Sequence, residues 1–424
     1  MYDVFNIPDF TFPKGFLWGS ATAGHQIEGD NTNSQRWHEE HQPGFDGVPS
    51  GKACNHYQLF WQDAQLVHEL GHQAYRMSLE WSRMEPVCGT WDEDAFLHYE
   101  EELQLYKKLG IKTFVTLTHF TLPQWFEELG GVSKKDNFRY FLRFAEKAVK
   151  RYDGLVDFWL VLNEKTHTLL PDGLNFIRLH AETYRLIKTL SKVPVSSAHM
   201  ALQYWPYRYY DELDNTMAAY KDYQTNGAFL HAIRTGELIA PHEEGEDCPE
   251  AKGAVDFWAL NLYTRELVDS RKKNLRAPRF PHKYLPLIDK PFYFEEFFPE
   301  GCSAMMERFS DYPVYMTENG CCCNDDRFRI VYITLYLSAL HDALKHGVDL
   351  RGYLYWSLMD NYEWSSFLPR FGLVDVDFKD FKRTPKPSAY FYKEIIENNG
   401  FSQKILRKYL TELPTLAMKN HNIP

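Results

Sequence analysis

What this sequence lacks narrows its function before any motif is read. Cysteine is scarce: seven in 424 residues, an odd number, three of them consecutive at Cys321, Cys322 and Cys323. With Cys54, Cys88, Cys248 and Cys302 completing the set, no paired disulfide framework is expected, and a reducing compartment fits better. No CxxC pair or matching histidine spacing accompanies the thiols, so no metal site is expected. No apolar run reaches the roughly 18 residues that a membrane span needs. The opening stretch Met1–Pro8 has neither the basic nor the apolar part of a secretory leader, so a cytoplasmic location is expected. Positive charge is in deficit, with 47 Lys and Arg against 58 Asp and Glu, a formal net charge of -11. That argues against nucleic acid or an anionic membrane as partner. Gly-rich phosphate loops of the GxGxxG or Walker kind are absent as well, and no cofactor is expected.

What is present is aromatic side chains and a regular alternation of strand and helix. Trp, Tyr and Phe number 11, 27 and 30. Such rings fill cores by default and also stack on the apolar faces of sugars. Short apolar runs read as strands at Phe16–Ala21, Ala74–Leu79, Lys112–Leu117, Phe158–Glu164, Val193–Ser197, Val255–Leu260, Pro313–Glu318 and Gly352–Ser357. Stretches with helical periodicity lie between them at Tyr57–Leu70, Tyr99–Leu109, Phe138–Tyr152, Leu174–Thr189 and Phe328–Lys345, and a last one at Ser388–Asn398 follows. Eight strands with intervening helices predict an α/β fold, one closed (β/α)8 barrel forming a single domain over residues 1–424. An open doubly wound sheet is the rival, and it wants the phosphate loop that is missing. The Pro-, Lys- and Arg-rich stretch Thr264–Glu300 reads as the long excursion between the sixth and seventh strands.

Two of the strand-like runs break off at an acid, Glu164 after Phe158–Asn163 and Glu318 after Pro313–Thr317. A parallel barrel carries its chemistry at the C-terminal strand ends, and two carboxylates facing each other there suit glycoside hydrolysis. The other polar and aromatic residues at these ends or in the loops after them are Gln26, Arg76, His119, Asn163, Asn261, Tyr263, Trp356, Glu363 and Trp364. Singly each has an ordinary explanation: Arg76 as a cap, His119 as a core histidine, Trp356 as packing. Their joint placement on strand ends is what points to a site.

From Phe12 to about Asn398 the sequence resembles glycoside hydrolase family 1. The resemblance rests on Phe12–Gly19 with Gln26–Gly29, on Tyr75–Arg83, on Thr317–Gly320, and on Arg351–Trp364 followed by Arg370–Val374. It implies a (β/α)8 barrel that hydrolyses β-glycosides with retention and without a cofactor. It also implies roles: Glu318 as nucleophile, Glu164 as acid/base, Arg76 and Asn261 as supports of the nucleophile, and Tyr263 as its hydrogen-bond donor. Asn163 is implied to bind the sugar 2-hydroxyl, Gln26, His119 and Glu363 the other hydroxyls, and Trp356 and Trp364 to form aromatic walls. The expected partner is therefore a β-linked, non-phosphorylated glycoside, attacked from its end by an enzyme of β-glucosidase type. The alternatives are a transglycosylating enzyme, a 6-phospho-β-glycosidase and, less in keeping with both acids, a non-catalytic carbohydrate-binding barrel.

The departures from that family lie on one side. Lys165 stands where a Pro usually follows the acid/base, Phe120 where a Trp follows the sugar-binding His, and Thr121 where an Asp comes next. The stretch Lys165–Gly173 replaces a longer loop. A more open leaving-group side is expected. Lys165 is expected to point to solvent; the alternative places its ammonium near Glu164 or near an acidic leaving group.

Overall fold

The computed structural model describes residues 3–241, 244–275 and 297–414. Eight parallel strands close into a barrel. They are β1 (Leu17–Ala21), β2 (Ala74–Ser78), β3 (Lys112–Thr118), β4 (Phe158–Asn163), β5 (Val195–Met200), β6 (Trp258–Asn261), β7 (Val314–Asn319) and β8 (Leu350–Trp356). Each pairs with its neighbour in chain order, and β8 pairs with β1 to complete the ring. The helices outside are α1 (His56–Glu69), α2 (Glu93–Lys108), α3 (Phe138–Tyr152), α4 (Gly173–Leu190), α5 (Glu212–Asp222), α6 (Ala228–Thr235), α7 (Cys302–Arg308), α8 (Asp326–Lys345) and α9 (Pro387–Asn398).

The expected (β/α)8 barrel is therefore present, with corrections at element ends. Helix α2 starts well before Tyr99 because the Asp92 carboxylate accepts from the N–H groups of Asp94 and Ala95. Such a cap satisfies donors that a free helix end leaves open. Strand β6 starts later than Val255, because residues 251–254 form a turn in which Ala254 N–H donates to Ala251 O. One stretch was not anticipated at all: α5 and α6, joined by a π-helical turn at Tyr223–Gly227. The excursion after β6 begins as a strand, Arg265–Val268, paired in parallel with Gln203–Pro206. Its middle lies outside the described residues.

Barrel strands covered by helices are buried on both faces and read as near-continuous apolar runs. In β2 every residue is buried. Inward positions along these strands are alanine, leucine or aromatic: Ala21, Ala74, Phe114, Leu160, Ala198, Ala259, Tyr315 and Leu354. Phe114 stacks on Phe158 at 4.1 Å, and Phe257 and Tyr315 pack edge-on or tilted against the pair. This aromatic floor fills one end of the barrel, so polar groups collect at the other. Register shifts interrupt the ladders near Leu160/Asn163, Leu260/Asn261 and Met316/Asn319. Irregularities of this kind re-aim side chains. They sit where β4, β6 and β7 present Asn163, Asn261 and Glu318.

Candidate active site

Arg76 is the centre from which the site is built. It projects from β2 into the barrel and is fully buried. A buried guanidinium needs partners on all its donors. Nη1 donates to Glu318 Oε1 at 2.5 Å, Nη2 to Asn163 Oδ1 at 2.6 Å, and Nε to Thr116 Oγ1 at 3.3 Å. Tyr263 donates its phenol proton to Glu318 Oε2 at 2.7 Å. Burial pushes the Glu318 carboxyl above its ordinary range; the Arg76 charge and hydrogen bonds from Tyr263, Arg76 and Asn261 oppose that. The Tyr263 phenol is pushed far up, by burial first and then by the Glu318 and Glu164 charges, so it stays a donor.

Asn261 connects the two acids. Its Nδ2 donates to Glu164 Oε1 and to Asn163 Oδ1, both at 3.0 Å, and its Oδ1 accepts at 3.4 Å from Arg76 Nη1, which also holds Glu318. Thr317 Oγ1 donates to Asn261 Oδ1 at 2.8 Å and fixes the amide orientation. The orientation of Asn163 follows too, because an arginine only donates and its target must be Oδ1. Asn163 Nδ2 therefore faces His119 Nε2, 3.2 Å away. Burial holds His119 well below its usual range, hence neutral. With Nε2 accepting, the proton sits on Nδ1, which has no partner among the described residues and is a free donor.

A second cluster stands across from this one. Gln26 Nε2 donates to Asn361 Oδ1 at 2.9 Å, to Tyr362 O at 3.0 Å and to Glu363 Oε2 at 3.3 Å. Its Oε1 is buried with no partner among the described residues, leaving an acceptor. Trp356 Nε1 donates to Glu363 Oε1 at 3.3 Å. Burial first, then the Glu318 charge, pushes Glu363 up to about 8 against the bonds from Trp356, Asn361 and Gln26. Four rings run nearly parallel through the site. His25 stacks on Trp364 at 6.0 Å, Trp364 on His119 at 6.2 Å, and His119 on Trp356 at 5.8 Å. Gly320 is required here, since a Cβ on it would lie 1.8 Å from the Trp356 carbonyl oxygen.

All eleven residues expected from the sequence thus fall into two adjoining networks at the C-terminal ends of the strands. Left-handed backbone marks the rim: Glu164, Phe120 and Trp364 have φ of 50°, 68° and 58°. Non-glycine residues rarely hold this conformation, and it clusters at functional sites. Sequence reading missed Thr116, Thr317, Asn361 and His25. Thr116 had a signal, a polar residue at an inward position two after Phe114. Thr317 lies in the Thr317–Gly320 motif but no role followed from it, because the register shift near it breaks the alternation. The expectation that Lys165 points to solvent is not met. The side chain is half-buried, with Nζ 5.2 Å from the Phe120 ring centre and 5.6 Å from that of Phe176. Among the described residues no group of three His, Cys, Asp or Glu is placed to hold a metal ion, and no helix is long and apolar enough to cross a membrane.

Comparison with known proteins gives one consistent result. The model of the family described as glycosyl hydrolase family 1 matches residues 9–176 and 175–401. The chain is 29% identical to beta-glucosidase A of Acetivibrio thermocellus, over 92% of this chain and 99% of that protein. It is 28% identical to a beta-galactosidase of Sulfolobus acidocaldarius, over 97% of this chain and 100% of the relative. Among solved structures it resembles the beta-glycosidase from Pyrococcus horikoshii, with TM-score 0.83 and 34% identity, covering 95% of this chain and 98% of that one.

Proposed function

The chain belongs to glycosyl hydrolase family 1 and is a glycoside hydrolase of the β-glycosidase kind, and from that premise we propose an exo-acting, retaining enzyme with Glu318 as nucleophile and Glu164 as acid/base. The observation that carries the assignment is Asn261, whose amide donates to Glu164 and which stands beside Glu318 in the strand register, Asn261 and Glu318 both being bound by Arg76 Nη1. Two acids joined through neighbouring residues in this way suit the short spacing of about 5–5.5 Å that covalent double displacement needs, not the wider gap that inversion leaves for a water.

The first step runs as follows. A Glu318 oxygen attacks the anomeric carbon as the glycosidic C–O bond breaks, and Glu164 gives its proton to the departing oxygen. Arg76 and Tyr263 keep Glu318 ionised and aimed in spite of its burial. Fixed donors of this sort need no reorganisation as the charge moves. In the second step Glu164 takes a proton from water, the water oxygen bonds to the anomeric carbon, and Glu318 leaves.

Asn163, His119, Gln26 and Glu363 are the sugar-binding set, with the Trp356 and Trp364 rings as walls. The free donor on His119 and the free acceptor on Gln26 are what a hydroxyl-bearing ring satisfies. Burial of Gln26 and Glu363 closes the far end of the sugar pocket, which supports attack from a chain end. A 6-phosphate would bring two negative charges into a buried pocket whose Arg76 is already committed to Glu318 and Asn163. A buried charge without a cation to pair it is costly, so the free sugar is the substrate.

The test is a panel of aryl β-glycosides, reading the configuration of the first-released sugar by NMR and the product mass for transfer to alcohols. The β-anomer appearing first is expected. The α-anomer first rejects retention, and labelling by a 2-fluoro glycoside at any residue other than Glu318 rejects the nucleophile.

A further inference from the structure

Lys165 is a charged group next to the proton donor that the mechanism above does not use. Its ammonium rests against Phe120 and Phe176, which belong to the loop after β3 and the first turn of α4. Phe120 in turn meets the Trp364 wall edge-on at 5.1 Å and follows the sugar-binding His119. Lys165 thus spans the rim on the side from which a leaving group departs. Among the described residues the ammonium has no hydrogen-bond or ion-pair partner. Lysine has three donors and no acceptor, and two aromatic faces satisfy none of them as a hydrogen bond.

The charges around it decide what it can recognise. Glu127, Glu164 and Glu39 act on it in that order of strength, and burial still holds it below its ordinary range. His167, on the same loop, is held low by burial and by Lys165, and so adds no positive charge. Arg36 is engaged by Glu39 at 3.0 Å and Glu40 at 3.3 Å. Among the described residues Arg36 answers Glu39 and Glu127 answers Lys165, so the ammonium is already balanced and an anionic leaving group gains little there. Neutral hydroxyl oxygens gain more, since they accept the protons of Lys165 with no charge set against Glu127.

We propose that Lys165 is a specificity-determining residue, its ammonium on the Phe120–Phe176 seat donating to the hydroxyl oxygens of a neutral, hydroxyl-rich leaving group such as a second sugar. The proposal rests on the assignment of Glu164 and Glu318, and its test separates the two. One sugar is paired with four leaving groups: nitrophenol, a carboxylate-bearing nitrophenol, hexanol and a second sugar. Wild type, Lys165→Met and Lys165→Arg are compared by kcat/KM. A hydrogen bond from a charged donor is worth roughly ten- to a hundredfold. Lys165→Met should lose about that on the disaccharide, stay within about threefold on the nitrophenyl and hexyl glycosides, and regain most of the loss as Lys165→Arg.

The nitrophenyl arm reports folding in the same preparation, because that group leaves without a proton. Equal loss on all four substrates makes Lys165 structural and overturns the proposal. A loss on hexyl equal to that on the disaccharide means it acts through Glu164, and also overturns it. A wild-type preference for the carboxylate-bearing aryl group that vanishes in Lys165→Met shows recognition of acids and does the same. Absence of wild-type turnover on every β-glycoside is the separate failure of the functional assignment.

Discussion

The two carboxyls of the site sit in unlike surroundings. Glu318 is buried at the end of β7 and held at both oxygens by Arg76 and Tyr263, with Asn261 beside it. Glu164 is half-exposed on left-handed backbone one residue past β4, and the chain's unusual residues Lys165 and Phe120 lie around it. Under the proposed roles, Glu318 as nucleophile and Glu164 as proton donor, the contrast has a chemical reason. A nucleophile must present one ionised oxygen to one carbon, so a rigid cage serves it. A proton donor must release, recover and face a variable leaving group, so it sits at the rim where sequence can vary without disturbing the sugar pocket.

The strongest way to break this comparison is to remove each acid in turn. Glu318→Gln should abolish turnover of every substrate, a loss on the order of 10⁴-fold or more, since no glycosyl-enzyme forms. Glu164→Ala should lose about 10²–10⁴-fold on an alkyl glycoside and far less on a nitrophenyl one, whose leaving group needs no proton. Steady-state kinetics on the pair of substrates reads both. Equal losses for Glu164→Ala on the two would remove it from the donor's role.

The caged side also makes a stability prediction. Breaking a buried ion pair by removing one partner typically costs about 3–5 kcal/mol. Arg76→Met should lower the unfolding free energy read from urea denaturation by that amount, and Arg76→Met with Glu318→Gln should recover part of it. Additive losses in the double-mutant cycle would show that the two side chains are not energetically coupled.

These contrasts were unevenly legible in the sequence. The barrel was readable because each helix and strand carries its own period, as in Phe138–Tyr152, whose bounds match α3 at both ends. The excursion after β5 was not, since the helices α5 and α6 are interrupted by a π-helical turn that breaks the period. Site residues followed from strand ends and from motif resemblance, so Arg76, Glu164 and Glu318 were visible. Their connector Thr317 was invisible because a shifted register, not alternation, points it at Asn261. Lys165 was misread because a lysine seldom seats its head on two rings, and neither ring is near it in sequence.

The sugar end of the pocket sharpens the comparison through pH. Burial raises Glu363 to about 8 in the folded chain, above the ordinary carboxyl range of the unfolded one. In the window between, the folded state holds a proton that the unfolded state has lost. Its contribution is therefore full below the unfolded value and declines as pH rises through about 8. Glu363→Gln should flatten that part of the stability-against-pH curve, measured by chemical denaturation from pH 4 to 9 (roughly the span of the two values). It should also cost about 0.5–1.5 kcal/mol in kcat/KM, the worth of a hydrogen bond between neutral groups. Faster hydrolysis of a 6-phosphoglycoside than of its parent by the wild type would overturn the role given to Glu363.

The smallest effect asks whether the cage and the rim titrate independently. The Tyr263 phenol is one of the groups that lower Glu318 against the effect of burial. Tyr263→Phe removes that bond and keeps the ring, so the loss in kcat/KM should be about 0.5–1.5 kcal/mol, threefold to roughly tenfold. Glu318 then needs a higher pH to ionise. The acid limb of the kcat/KM profile, which reports groups of the free enzyme, should move upward. The basic limb is set by loss of the donor's proton at Glu164, which Tyr263 is not seen to hydrogen-bond, and it should stay in place. Movement of both limbs together would mean that the Asn261 amide, common to both acids, couples their titration. The difference between caged and rim carboxyls would then be one of geometry alone.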